Sequence, residues 1–192
     1  MKRIFCLVTA LCAVALLGCS TAYQTYRSDI GTGKKMFDAG EYRQAREDFM
    51  NAAKADPTQA DPYALAATAS YKMNDLQTAS QSIAEAAKRS GTSDAHIRIL
   101  GYKALILLKQ GRQEEGLDAL HAYIAAYENE YGPQNVREVR AMWRGKQIDL
   151  RVLEGLLDGE IEVYESDMQQ FRSSGTGWFA MKYGTTTPGS SR

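Results

Sequence analysis

The chain has 192 residues, enough for one domain with its own core, and 44% of them are apolar with only five Phe and two Trp, so the core has to be built from Ala, Leu, Ile and Met. Its 23 basic and 23 acidic residues balance, which excludes the basic excess of a nucleic-acid binder. Without the first segment, which holds Lys2 and Arg3 and no acid, 21 bases remain against 23 acids, a slightly acidic balance.

The first segment is Lys2 and Arg3 followed by an apolar run, Ile4 to Leu17, that is shorter than the roughly 20 residues needed to span a bilayer. It closes as Leu16-Leu17-Gly18-Cys19, which resembles a bacterial lipobox. The resemblance implies a lipoprotein signal peptide over residues 1–18, with cleavage before Cys19 after a diacylglycerol has been joined to its sulfur. An ordinary secretory signal or an anchor helix is the alternative. Cys6 and Cys12 fall inside the removed segment, so the mature chain would hold Cys19 alone, with no disulfide. Residues 19–26 read as a polar, lipidated tether. By the same resemblance, Ser20 after the cysteine permits transfer to the outer membrane of a Gram-negative cell.

From Gly33 to Pro57 the chain reads GKKMFDAGEYRQAREDFMNAAKADP, with Gly33, Gly40, Tyr42, Ala45, Phe49, Ala52, Asp56 and Pro57 at spacings that suit two antiparallel helices. Small residues sit where backbones approach, large ones fill the seam, Gly40 ends the first helix and Pro57 ends the second. Asn74, Leu76, Ala79, Ile83 and Ala86 repeat the pattern thirty-four residues on, and Gly111, Gly116, Leu120 and Tyr123 repeat it again after three inserted residues near 90–93. These residues resemble the tetratricopeptide (TPR) repeat. The fold implied is all-α, a right-handed array of antiparallel helix hairpins over residues 27–130, with helices near 27–39, 42–55, 60–73, 76–89, 94–110 and 113–127.

Beyond Tyr131-Gly132-Pro133, Val136, Val139, Trp143, Leu150, Leu153 and Leu157 form a stripe with steps of three and four, interrupted at Lys146. A terminal repeat needs a cover for its apolar side, so residues 133–172 read as a C-terminal cap. It is either one helix kinked near Asp158-Gly159 or a helix and a separate shorter one. Residues 173–192 turn to Ser, Gly and Thr and read as a mobile tail. Within it Trp178, Phe179, Met181 and Tyr183 form an apolar cluster in which Phe179, Met181 and Tyr183 alternate with Trp178, Ala180 and Lys182 as an extended segment would; it is a loosely docked tail without function, docks in the protein's own groove against Phe37, Tyr71 and Leu108, or is offered to a partner.

No constellation for catalysis is legible. His96 and His121 lie in different helices without metal-ligand spacing, Gly31-Thr32-Gly33-Lys34 is no phosphate loop, and 173–177 is no nucleophile elbow. The reading is of a non-enzyme with no metal and no cofactor.

The surface left for function is the groove that the TPR resemblance assigns to the first helix of each unit. Carried over by residue, its partner-binding positions are Arg27, Lys34 and Phe37, then Thr68, Tyr71 and Lys72, then Arg98, Leu105, Leu108 and Lys109. Five bases stand here against Asp38 and Asp61, a mildly basic channel suited to an acidic protein or peptide segment with apolar anchors. It lacks the asparagines of the chaperone-binding carboxylate clamp. The function expected is a membrane-anchored protein-binding scaffold of the bacterial cell envelope, lipid-anchored at the outer membrane and facing the periplasm. It would serve assembly of a pilus, a secretion channel or an outer-membrane complex. The alternative is a solute-binding accessory lipoprotein of a transport system.

Overall fold

The computed structural model describes residues 21–91, 95–132 and 136–184. Among them there is no strand, and the chain forms nine α-helices: α1 (residues 21–38), α2 (Tyr42–Ala55), α3 (Asp61–Lys72), α4 (Leu76–Arg89), α5 (His96–Lys109), α6 (Gln113–Tyr131), α7 (Arg137–Gly145), α8 (Leu150–Ser174) and α9 (Trp178–Tyr183). The all-α expectation holds. Cys19, the lipobox-like run and residues 185–192 lie outside the described residues.

Three of the connections are the same turn. Gly40, Asn74 and Gly111 each take a left-handed conformation, with φ of 80°, 60° and 78°. In each, the turn residue's N–H reaches the carbonyl three residues back, and the next N–H reaches five back. The pairs are Gly40 to Phe37 and Glu41 to Met36 (both 2.9 Å), Asn74 to Tyr71 and Asp75 to Ser70 (both 2.9 Å), and Gly111 to Leu108 and Arg112 to Leu107 (both 3.0 Å). This is a Schellman ending, which satisfies carbonyls that the helix itself leaves without partners. Glycine takes φ > 0 without penalty and asparagine tolerates it, which explains why these two residue types occupy the turns.

The chain divides into two units, Met1–Arg89 and Ser90–Arg192. The division falls beside the three-residue insertion, so the third hairpin shares a unit with the C-terminal helices and not with the first two hairpins. In the first unit α3 packs against both α2 and α4. Ala45, Phe49, Ala66 and Ala69 make a buried cluster, edged by Ile30, Phe37, Tyr42 and Leu65. Gly33 earns its place here: a Cβ added to it would lie 2.5 Å from the Phe49 ring. Residues 21–26, expected as a tether, are the first turns of α1, because the apolar stripe of Ile30 and Phe37 already begins at Ala22 and Tyr26. Burial pushes the Tyr26 hydroxyl up to about 12, with Asp61 and Asp56 adding to the shift.

Charged side chains lock the loops of this unit. The Arg46 guanidinium binds Asp75 at 2.9 Å, and the other Asp75 oxygen accepts from the Thr78 N–H at 3.2 Å at the start of α4. At the end of α4, Arg89 donates to the Pro57 carbonyl (2.7 Å) and to the Glu85 carboxylate (2.7 Å) and lies 4.3 Å from the Tyr63 ring centre. Asp56, before Pro57, accepts from the Thr58 hydroxyl at 2.6 Å and the Gln59 amide at 3.0 Å, which shapes the turn into α3.

In the second unit α5 and α6 form the hairpin, and α8 packs along α5. Gly116 permits close crossing, since a Cβ there would meet Leu108 at 2.6 Å. The cap differs from both expected forms. Its break lies at Lys146, which is left-handed at φ 51°, and Asp149 starts α8 by accepting from the N–H groups of Arg151 (2.9 Å) and Val152 (3.2 Å). Asp158-Gly159 does not interrupt α8, because no residue there takes a left-handed φ or removes a backbone donor. Gly175 and Gly177, both with φ > 0, then reverse the chain into α9.

Candidate functional site

The ten residues assigned to the groove do not share one fate. On α1, Arg27 and Lys34 are exposed and Phe37 is half-buried, its ring 5.1 Å from Tyr42 in an edge contact. Lys72 at the end of α3 is half-buried. Thr68 and Tyr71 are buried at 1% exposure each, and the Thr68 hydroxyl donates to the Ala64 carbonyl at 3.0 Å. A residue sealed in this way cannot line a channel for a partner.

In the third hairpin the groove assignment fails for a specific reason. The face of α5 that carries Arg98 is taken by α8. Arg98 makes a two-pronged ion pair with Glu165, at 2.6 and 2.9 Å. A Cβ on Gly101 would lie 3.1 Å from Ile161. Tyr102 donates to Asp158 at 2.5 Å. Leu105 is fully buried, and Leu108, 5% exposed, turns toward Gly116 on α6. Lys109 remains half-buried at the helix end. Arg98, Leu105 and Leu108 are therefore interior parts of the second unit.

The seam under α8 is lined by tyrosine hydroxyls and carboxylates. Tyrosines of α5 and α6 aim their hydroxyls at acids of α8: Tyr102 at Asp158, Tyr123 at Glu160 (2.7 Å) and Tyr131 at Asp167 (2.5 Å), while Tyr127 donates to the Glu160 carbonyl at 3.1 Å. Burial pushes the Glu160 carboxyl up to about 7, and Glu138 adds to the rise while the Tyr123 hydrogen bond opposes it. Burial likewise holds the Tyr123 hydroxyl well above the ordinary tyrosine range. Each carboxylate is used as a hydrogen-bond acceptor, which is what fixes α8 in register along its neighbours.

The segment expected to be mobile and extended is helical and docked as far as it is described. Ser173 and Ser174 complete α8, and Trp178–Tyr183 is α9. Phe179 is fully buried, with ring centres of Tyr131 at 5.4 Å, Tyr164 at 5.6 Å and Phe171 at 6.4 Å. Trp178 stacks on Tyr131 at 5.4 Å and 5°. The cluster thus seats on α6 and α8. The Lys182 ammonium donates to the carbonyls of Asn129 (2.5 Å) and Glu130 (2.8 Å), and the Trp178 indole donates to Glu130 at 3.2 Å. These are carbonyls of the last turn of α6, where a cation is favoured by the helix dipole. The signal was present in the sequence: Phe179 and Tyr183, like Trp178 and Lys182, are four apart, the spacing of a helix face.

The two histidines have structural surroundings. His121 stacks on Trp143 at 4.6 Å, and His96 meets the edge of Tyr164 at 5.6 Å. Among the described residues no three His, Cys, Asp or Glu side chains gather as a metal would require.

The described residues are therefore all-helical, and within the second unit a long helix lies over a polar seam. No family model matches the chain, and no curated protein matches it.

Proposed function

We propose that the chain is a TPR-like, membrane-anchored scaffold that binds a protein or peptide partner in the bacterial cell envelope. The observation that carries this reading is the recurrence of one turn geometry at Gly40, Asn74 and Gly111, because hairpins of this kind present helix faces against which a partner segment can lie. The small-against-large contacts Gly33 to Phe49 and Gly116 to Leu108 support the TPR-like form of the array.

The partner face of this reading is narrower than the groove expected from sequence. It is the exposed side of α1, which carries Arg27 and Lys34, with the half-buried Phe37 one turn beyond Lys34 at the edge of the buried cluster. Lys34 has no ion-pair partner among the described residues, while Arg27 leans on the Tyr23 ring. Two cations beside one partly exposed aromatic side chain suit an acidic segment bearing an apolar side chain. The lipobox-like run ending at Cys19 supplies the anchor, and the outer-membrane placement rests on Ser20. No described helix is long and apolar enough to cross a membrane.

Two experiments test the two halves. A labelled acidic peptide with one aromatic residue should bind the protein with salt-sensitive affinity, and Arg27→Glu with Lys34→Glu should weaken it at least about tenfold; unchanged binding would remove α1 as the face. Cys19→Ala should abolish labelling by a palmitate analogue in growing cells, and normal labelling of that variant refutes the anchor.

A further inference from the structure

The solvent side of α8 carries a second pattern that the binding reading does not use. Gly155 and Gly159 are exposed, with nothing within 4 Å of where a Cβ would lie. Glycine is the poorest helix former after proline, so two on one exposed face of a single helix weaken it without helping to pack the unit. Beside them stand Val152, 46% exposed, and Val163, 52% exposed, two of the large apolar side chains that this surface leaves in water. Arg151 and Glu162, on the other flank, are exposed and make no ion pair among the described residues.

These six residues are arranged about one point. Gly155 and Gly159 are centred on position 157, Arg151 and Glu162 on 156.5, and Val152 and Val163 on 157.5. Arg151 and Glu162 are separated by eleven residues, about three turns or 16 Å, as are the valines, so each pair keeps to its own side of the glycines. A two-fold axis through position 157, perpendicular to the helix, reverses the helix direction and leaves each flank facing its like. Arg151 then meets Glu162 of the other copy, Val152 meets Val163, and the glycines allow the backbones to approach. Parallel pairing would instead set the charges against the valines, or like charge against like.

We propose that this face of α8 is the isologous interface of an antiparallel pair formed with a second copy of the same chain. The complementarity is specific to a copy of itself, since one surface supplies both signs of charge at matched distances from the axis. The pairing is independent of the α1 partner face and would stand if that reading failed.

The test is the mass of the full chain in mild detergent, by sedimentation equilibrium over a range of concentrations. Two chains per particle are expected at high concentration, dissociating on dilution. Arg151→Glu and Glu162→Arg act twice in a two-fold pair, so each alone should raise the dissociation constant at least about tenfold, and the double reversal should restore it to near the original value. Gly159→Leu should abolish pairing while circular dichroism keeps its helical signal. A single-chain mass at every concentration overturns the proposal and leaves the face to a different protein. Single reversals without effect, or a double reversal that pairs worse than either single one, also overturn it.

Discussion

Gly31 and Gly33 stand two residues apart on α1 and should respond in opposite directions to the same change. A Cβ at Gly31 meets nothing within 4 Å, so Gly31→Ala should raise stability by about 0.5–1 kcal/mol through helix propensity alone. At Gly33 the Cβ would lie 2.5 Å from a Phe49 ring that is itself fully buried. Gly33→Ala should therefore lower stability by about 1–3 kcal/mol in spite of the same propensity gain. Thermal unfolding of the two variants decides it, and equal signs would mean that α1 is not held against α2. Asn74 offers a third case: at φ 60°, Asn74→Gly removes backbone strain and should raise the melting temperature, whereas Gly111→Val at φ 78° should lower it.

The element whose contribution is most exposed to test is α9, six residues held chiefly by the buried Phe179 ring, the Trp178 stack and the Lys182 ammonium. Phe179→Ala opens a cavity among Tyr131, Tyr164 and Phe171 and should cost about 3–5 kcal/mol. Lys182→Met keeps the apolar stem but removes the donor to the end of α6, and should cost about 1 kcal/mol. Unfolding followed by Trp178 fluorescence reads both, because that indole stacks on Tyr131 and reports undocking directly. If neither substitution moves the transition, α9 does not hold the end of α6. Its helical form was missed because period-two alternation and i,i+4 pairing coexist in six residues, and only the pocket beside Tyr131 selects between them.

The response of the whole molecule to pH follows from carboxyls shifted both ways. Glu160 is raised by burial from 4.5 to about 7, so its folded form holds a proton that the unfolded chain has released. Its contribution is complete below about 4.5 and is lost as pH rises through about 7. Asp56 is held below its ordinary 3.8 chiefly by the Thr58 hydroxyl, and Asp75 chiefly by Thr78. Their contributions are present above that value and vanish as pH falls through the lower folded values. The melting temperature should therefore peak near pH 4.5, decline as pH rises to about 7 and level off above it, and Glu160→Gln should flatten that decline. Scanning calorimetry from pH 3 to 8 measures both limbs, and an unchanged decline in Glu160→Gln would assign it to another group.

Much of this architecture is written locally along the chain. The turns at Gly40, Asn74 and Gly111 close through hydrogen bonds that span no more than five residues, and the helices between them follow a 3.6-residue apolar period. Neighbouring residues suffice to encode both, which is why the hairpins and their order could be read before any coordinates. The start of α1 and the break at Lys146 were local too: the first was masked by a polar composition, and the second showed only as the one gap in the apolar stripe, which resumes at Leu150. What could not be read was which face of each helix would be left open. Arg98 looked like a groove cation until Glu165, sixty-seven residues later, was brought against it, and Tyr102 finds Asp158 at a separation of fifty-six. Such pairs form only when α8 lies down on α5, and nothing in the spacing of either helix states that they will meet. A helix face becomes core or surface according to what covers it, and that depends on the folding of the entire second unit.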